Sequence, residues 1–172
     1  MYQTILIDPP WNETGGGKIK RGADRHYPLI KTADLPRVIL SSGAFRPAEN
    51  AHLYLWTTSS FLSDGLFLVE ALGFKYKSCL VWRKQGRKGL GQYFRMEHEI
   101  LLFAVRGSGF KVRTESRSIG SVIEAPRGRH SEKPVEFYEL IEQRSYGPRL
   151  EMFARQTRDG WESWGNELEV DP

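Results

Sequence analysis

Short uninterrupted apolar runs alternate with helical periods from one end of this 172-residue chain to the other, and that alternation restricts its fold more than any other feature. Thr4-Ile5-Leu6-Ile7, Leu53-Tyr54-Leu55-Trp56-Thr57, Lys77 to Trp82, Glu99 to Val105 and Arg149 to Arg155 read as strands, rich in β-formers and without the polar alternation of a half-solvated sheet. Between them lie helical segments with recognisable ends. Thr32 can cap a helix through Leu40 with Pro36 in its first turn, Ser59 or Ser60 can open one that runs to Leu72 and stops at Gly73, and Ser131 opens a third, with Pro134 early and Gly147-Pro148 beyond its end. A strand that is apolar on both faces must be covered on both. The pattern therefore predicts an α/β sandwich, a mostly parallel sheet with helices on both faces, and the length predicts a single domain over residues 1–172.

Composition removes several alternatives. The longest apolar run, Ile100 to Val105, falls far short of the roughly 20 residues a membrane span needs. Met1-Tyr2-Gln3-Thr4 leads straight into an apolar strand with no basic region or cleavage signature, so the default expectation is a cytoplasmic protein with no membrane partner and no segment ahead of the strand. A single cysteine, Cys79, forbids an internal disulfide and a cysteine-based zinc cluster, and its apolar neighbours suit a small packing residue. The net charge of +4 hides an asymmetry: residues 1–130 hold 20 Lys and Arg against 11 acids, residues 131–172 hold 5 against 10. A positive body fits an anionic partner such as nucleic acid.

The positive charge is concentrated in three glycine-containing loops. Residues 12–26 contain Gly15-Gly16-Gly17 with Lys18, Lys20, Arg21 and Arg25; residues 83–95 hold five cations, three glycines and no acid; residues 106–129 hold six cations and two acids. In a parallel sheet, loops at the carboxyl ends of strands border the ligand crevice. Asp8-Pro9-Pro10-Trp11 stands at such a strand end. Two successive prolines stiffen the backbone and remove two N–H donors, leaving the Asp8 carboxylate and the Pro9 carbonyl as acceptors beside the flat face of Trp11. That set suits an exocyclic amine on a nucleobase, a poor nucleophile until its hydrogens are drawn out of conjugation; a rigid turn with a packing Trp has the same local spacing.

Asp-Pro-Pro-Trp after Ile5-Leu6-Ile7 resembles motif IV of amino-group methyltransferases. Further stretches in the same order are Leu53 to Thr57, Leu72-Gly73-Phe74, Val81 to Lys84, Glu97-His98-Glu99, His130 to Pro134, Leu150 to Arg155 and Trp161 to Glu167. Together they resemble the adenine-N6 methyltransferase family typified by the catalytic subunit of the eukaryotic messenger-RNA N6-methyladenine writer (MT-A type), in the manner of its small bacterial and phage members. The resemblance implies a Rossmann-like methyltransferase fold with the catalytic motif ahead of the cofactor strand, S-adenosyl-L-methionine as cofactor and no metal. It implies that Asp8, Pro9, Pro10 and Trp11 form the catalytic set and that Asp8, Lys133, Phe153, Arg155, Asn166 and Glu167 meet the cofactor, Lys133 at the methionine carboxylate. Trp11, Tyr27, Arg87 and Lys88 become the expected substrate contacts, with Trp11 stacking on the target adenine, Arg87 and Lys88 on phosphates, and Tyr27 either near the base or simply packed.

Competing motifs do not match. Gly17-Lys18 lacks the spacing of a nucleotide P-loop, Gly89-Leu90-Gly91 does not make a dinucleotide fingerprint, and the four histidines lack close metal-ligand spacing. The Gly-rich cofactor loop common in other methyltransferases is absent after Arg155, as in this branch. The function so implied is methyl transfer to N6 of adenine in DNA, with RNA as the alternative substrate. A noncatalytic nucleic-acid-binding subunit is the alternative of another class, disfavoured by the presence of Asp8, Trp11 and Lys133 together. A homodimer or a partner subunit is compatible with the sequence.

Overall fold

The computed structural model describes residues 1–11, 30–86, 88–89, 91, 93–128 and 132–165. In chain order its elements are β1 (Tyr2–Ile7), α1 (Leu35–Ser41), β2 (Pro47–Thr57), α2 (Leu62–Ala71), β3 (Lys75–Gln85), β4 (His98–Arg106), β5 (Val122–Pro126), α3 (Val135–Arg144), β6 (Arg149–Met152) and β7 (Trp161–Trp164). The strands form one seven-stranded sheet in the order β5-β3-β4-β2-β1-β6-β7. Neighbours run parallel except β4, which is antiparallel to both β2 and β3. The cause is the connection. α2 carries the chain from β2 back to start β3 in the same direction, whereas β3 and β4 are joined by a loop with no crossover helix, which can only make a hairpin.

Side chains alternate across the sheet and separate two cores. Ile5 and Ile7 of β1, Leu53 and Leu55 of β2 and Leu102 of β4 pack under Leu35 and Ile39 of α1 and Leu68 and Val69 of α2. Leu6, Tyr54, Trp56, Trp82 and Leu101 face the other way, onto Phe137, Tyr138, Leu140 and Ile141 of α3. Each such aliphatic or aromatic side chain stabilises the fold by about 1.5–3 kcal/mol when fully buried. α2 stops as the sequence predicts: Gly73 sits at φ +80°, its N–H donates to the Glu70 carbonyl, and the Phe74 N–H donates to Val69. This is a left-handed helix cap that a residue with a side chain adopts only with strain.

The structure corrects several boundaries. Ser59 and Thr32 open short 3-10 turns ahead of α2 and α1 rather than the helices themselves, and neither helix start has a side-chain cap hydrogen bond. The late strand ends at Met152, not Arg155, because Phe153 turns to φ +61°. Part of the 106–129 loop is β5, a five-residue strand at the sheet edge in which only Ala125 is buried, too short and too interrupted by Glu124 and Pro126 to read as a buried strand. Among the described residues no helix is long and apolar enough to cross a membrane.

Candidate active site

β1 is central, hydrogen-bonded to β2 on one side and β6 on the other, and Asp8 is the first residue beyond its carboxyl end. The Asp8 N–H still donates to Met152 at 3.4 Å, so the carboxylate leaves the sheet from a fixed point. Pro9 is buried, and its carbonyl accepts the Trp11 N–H at 2.8 Å, which closes a tight turn and leaves one lone pair for another donor.

Lys133 reaches this point from 125 residues away. Its Nζ donates to Asp8 Oδ2 at 2.7 Å and lies 3.5 Å from Glu99 Oε2, with the Lys133 side chain 8% and the Asp8 side chain 20% exposed. Glu99 in turn accepts from Lys84 Nζ. Four charges thus alternate along the sheet edge in the order Asp8, Lys133, Glu99, Lys84. The ammonium of Lys133 also sits 5.4 Å from the centre of the Trp56 ring, an additional favourable contact for a cation. Burial works against the charge on Lys133, but Asp8 and Glu99 outweigh it and raise the pKa above the usual lysine value, while nearby Arg155 opposes them. Burial likewise pushes the Glu99 carboxyl up, and Lys133 and Lys84 overcome this to bring it below its ordinary value. Both partners stay charged at neutral pH.

A second acid lies behind Asp8. Glu151 of β6 is 8% exposed and accepts the Tyr138 hydroxyl at 2.7 Å, and the Arg158 guanidinium stands 3.8 Å over the Tyr138 ring. Burial raises the Glu151 pKa, the Tyr138 bond offsets part of the rise, and the Asp8 charge adds to it. The same edge holds Phe153, in edge-to-face contact with Trp164 at 5.3 Å, and Gly165, where a Cβ would lie 2.2 Å from the Ala154 carbonyl oxygen. Only glycine permits that approach, which brings the turn after β6 against the end of β7. The Thr58 and Ser163 hydroxyls, just beyond β2 and within β7, are buried without a hydrogen-bond partner.

Asp8, Pro9, Pro10, Lys133, Phe153 and Arg155 thus belong to one edge of the sheet. Trp11 does not present itself as expected. It is 6% exposed, its indole N–H donates to the Trp56 carbonyl at 3.0 Å, and its ring stacks on Phe61 at 5.4 Å. An indole held in this way braces the Asp8 turn against β2 and is not offered to a base. Lys88 is exposed and pairs with Glu97 at 3.4 Å across the loop. Tyr27, Arg87, Asn166 and Glu167 lie outside the described residues. Glu99, Lys84, Glu151 and Tyr138 were not among the expected site residues. The available signal was an acid entering an otherwise apolar strand, at Glu99 in β4 and at Glu151 in β6.

Residues 2–167 match the family model described as MT-A70. A type II methyltransferase, M.MunI, from Mycoplasma sp is 29% identical over 190 residues, which cover 97% of this chain and 78% of that protein. A putative N(6)-adenosine-methyltransferase MT-A70-like protein of Medicago truncatula is 29% identical and a probable one of Oryza sativa subsp. japonica 27% identical, each over 97% of this chain. The chain spans only about a quarter of those two plant proteins, 26% and 23% of their lengths.

Proposed function

Because the chain belongs to the MT-A70 family, we propose that it is an S-adenosyl-L-methionine-dependent methyltransferase acting on N6 of adenine, with DNA as its substrate. The observation that carries this reading is the Asp8 carboxylate fixed beyond the central strand by Lys133, next to the rigid Pro9-Pro10 turn. The donor set fits the cofactor. Lys133 offers a cation to its carboxylate, Asp8 an acceptor to an amino group, and the buried Thr58 and Ser163 hydroxyls have bonds still to make. Arg155 and Phe153 flank it, and Asn166 and Glu167 complete its contacts. When bound, the cofactor supplies an electrophilic methyl group.

The protein's share is alignment and electrostatics. Asp8 and the free lone pair of the Pro9 carbonyl accept the two amine hydrogens of adenine, so that the nitrogen lone pair leaves the ring system and points along the line of displacement. Lys133 holds the Asp8 acceptor in place. Exposed cations of the loop that includes Lys88, together with Arg87, hold phosphates. DNA is favoured because the relative matched over most of its own length is a type II methyltransferase. RNA is the second reading, favoured by the two relatives named for adenosine. Incubation with methyl-labelled cofactor and parallel DNA and RNA pools, followed by nucleoside mass spectrometry, tests both. Label in N6-methyldeoxyadenosine is the expected result; label confined to the RNA pool selects the second reading, and label in neither removes both.

A further inference from the structure

The hairpin loop between β3 and β4 ends in two of the most exposed large apolar side chains of the described residues, Tyr93 at 90% and Phe94 at 84%. Water solvates neither ring favourably, so a pair in sequence on a loop tip asks for an occupant. The tip is built rather than loose. The Lys84 N–H donates to Glu97 at 2.7 Å and the Gly89 N–H to Met96 at 2.8 Å, so the ladder continues past the strands and confines the turn to the residues between. Gly91 lies beneath Phe94, where a Cβ would be 1.8 Å from the Phe94 carbonyl oxygen, so the turn that displays the rings requires glycine there.

The stem of this loop is part of the charged edge. Lys84 pairs with Glu99, Glu99 with Lys133 and Lys133 with Asp8, and Met96 touches Ser59 just beyond the end of β2. The loop also carries cations: Lys88 and Arg95 are exposed on it, and Arg127 donates to the Met96 carbonyl. The core of a protein interface is depleted of charge, whereas stacked aromatic rings bordered by cations match alternating bases and phosphates.

We propose that Tyr93 and Phe94 enter the base stack of the DNA substrate beside the target adenine and fill the gap left when that adenine is turned out toward Asp8. The inference rests on the reading of the preceding subsection that the substrate is a nucleic acid. An enzyme acting on a base in a duplex must pay for unstacking it, and an inserted side chain recovers part of that cost. The rings sit on the hairpin whose stem touches the Asp8 network, so insertion at the tip and delivery of the base would be mechanically joined.

The test compares the wild type with Tyr93→Ala/Phe94→Ala and with the conservative Tyr93→Phe. Two substrates are used: a duplex that the wild type methylates, and the same duplex with an abasic site opposite the target adenine. Single-turnover methyl transfer, fluorescence of 2-aminopurine at the target position, calorimetry with S-adenosylhomocysteine and sedimentation velocity are measured. The double variant should bind S-adenosylhomocysteine as the wild type does, lose roughly 10- to 100-fold in transfer to the paired duplex, and lose the 2-aminopurine signal. Transfer to the abasic duplex should be largely restored, and Tyr93→Phe should behave as wild type. Equal loss on both duplexes, no loss on either, or a changed sedimentation coefficient in the double variant would overturn the proposal, the last result assigning the rings to a second copy of the chain. A wild type that transfers only to single strands would also overturn it. Failure of the wild type on every nucleic acid would remove the functional reading itself, which separates the two failures.

Discussion

Asp8 has one strong partner, Lys133, and removing either has a different signature. Asp8→Ala should lower methyl transfer by about 100- to 1000-fold while circular dichroism stays native, because one positioned acceptor is lost and no neighbouring group replaces it. Retention of wild-type turnover in the folded variant would exclude Asp8 from the reaction. Lys133→Ala should weaken S-adenosylhomocysteine binding by roughly 1.5–3 kcal/mol in calorimetry, the range of a charge-assisted contact. It should also destabilise the fold, because Asp8 and Glu99 would face each other without the cation between them. Unchanged affinity would leave Lys133 only its structural contact. Trp11→Ala should cost about 3–5 kcal/mol of unfolding free energy in urea titration, the range for deleting a buried aromatic, because the indole both fills the α1/α2-side core and ties the Asp8 turn to β2. Asp8 was legible in the sequence because a strand end followed by a proline pair advertises itself, and Lys133 because the stretch from His130 to Pro134 resembles the family. The orientation of Trp11 was not, since an indole beside two prolines stacks equally well on a base or on Phe61, and Phe61 is fifty residues away.

The hairpin of β3 and β4 decides what the strands could not reveal separately. Trp82 pairs with Glu99, which puts Lys84 and Glu99 on one face and diagonally within reach. Each is an ordinary charge at the end of an apolar run, and only the register joins them; register depends on loop geometry that residue types do not specify. The same hairpin should carry phosphate contacts: replacing Arg87 and Lys88 by Ala should flatten the log–log salt dependence of duplex binding by up to roughly 1.8, with cofactor affinity unchanged. The Lys88–Glu97 pair is exposed and costs little to exchange for a phosphate. Midway along β2, His52 shows how an element sets a pH limit. Its Nε2–H donates to the Gly109 carbonyl at 2.8 Å, so Nδ1 is the acceptor of the Ser145 hydroxyl at 2.6 Å, and Ser145 accepts from Tyr54 at 2.7 Å. Burial lowers the His52 pKa from 6.5 to about 4, Gly109 opposes the shift, and Arg144 and Arg113 add to it. The unfolded chain therefore takes up this proton first as the solution is acidified. Stability should be undiminished above pH 6.5 and decline toward about pH 4, by about 3 kcal/mol from this group. Glu99, held below its ordinary pKa, adds a loss in the same direction at lower pH. Urea midpoints across that window should fall in the wild type and fall less in His52→Gln; identical slopes would show that His52 is not the group responsible.

At the scale of the whole molecule the sandwich was readable because both faces of β1 and β2 are apolar, and a sheet of that kind has few ways to be covered. The antiparallel β4 and the edge strands β5 and β7 were not, because their positions follow from pairing rather than composition. Cutting the chain in the exposed stretch between β4 and β5 would put Asp8 on one fragment and Lys133 on the other. Neither fragment alone should transfer methyl groups, and coexpression should restore activity measurably; activity in the first fragment alone would mean that Lys133 is dispensable. The 125 residues between the two partners of that ion pair also have a meaning in time. Asp8 leaves the ribosome early and Lys133 late, and at about 5–20 residues per second the interval is roughly 6–25 s. During that time β1 lacks β6, its neighbour on one side, and the Asp8 carboxylate lacks its counter-ion. A nascent chain thus carries Asp8 without this ion pair until nearly all of the sheet has been made.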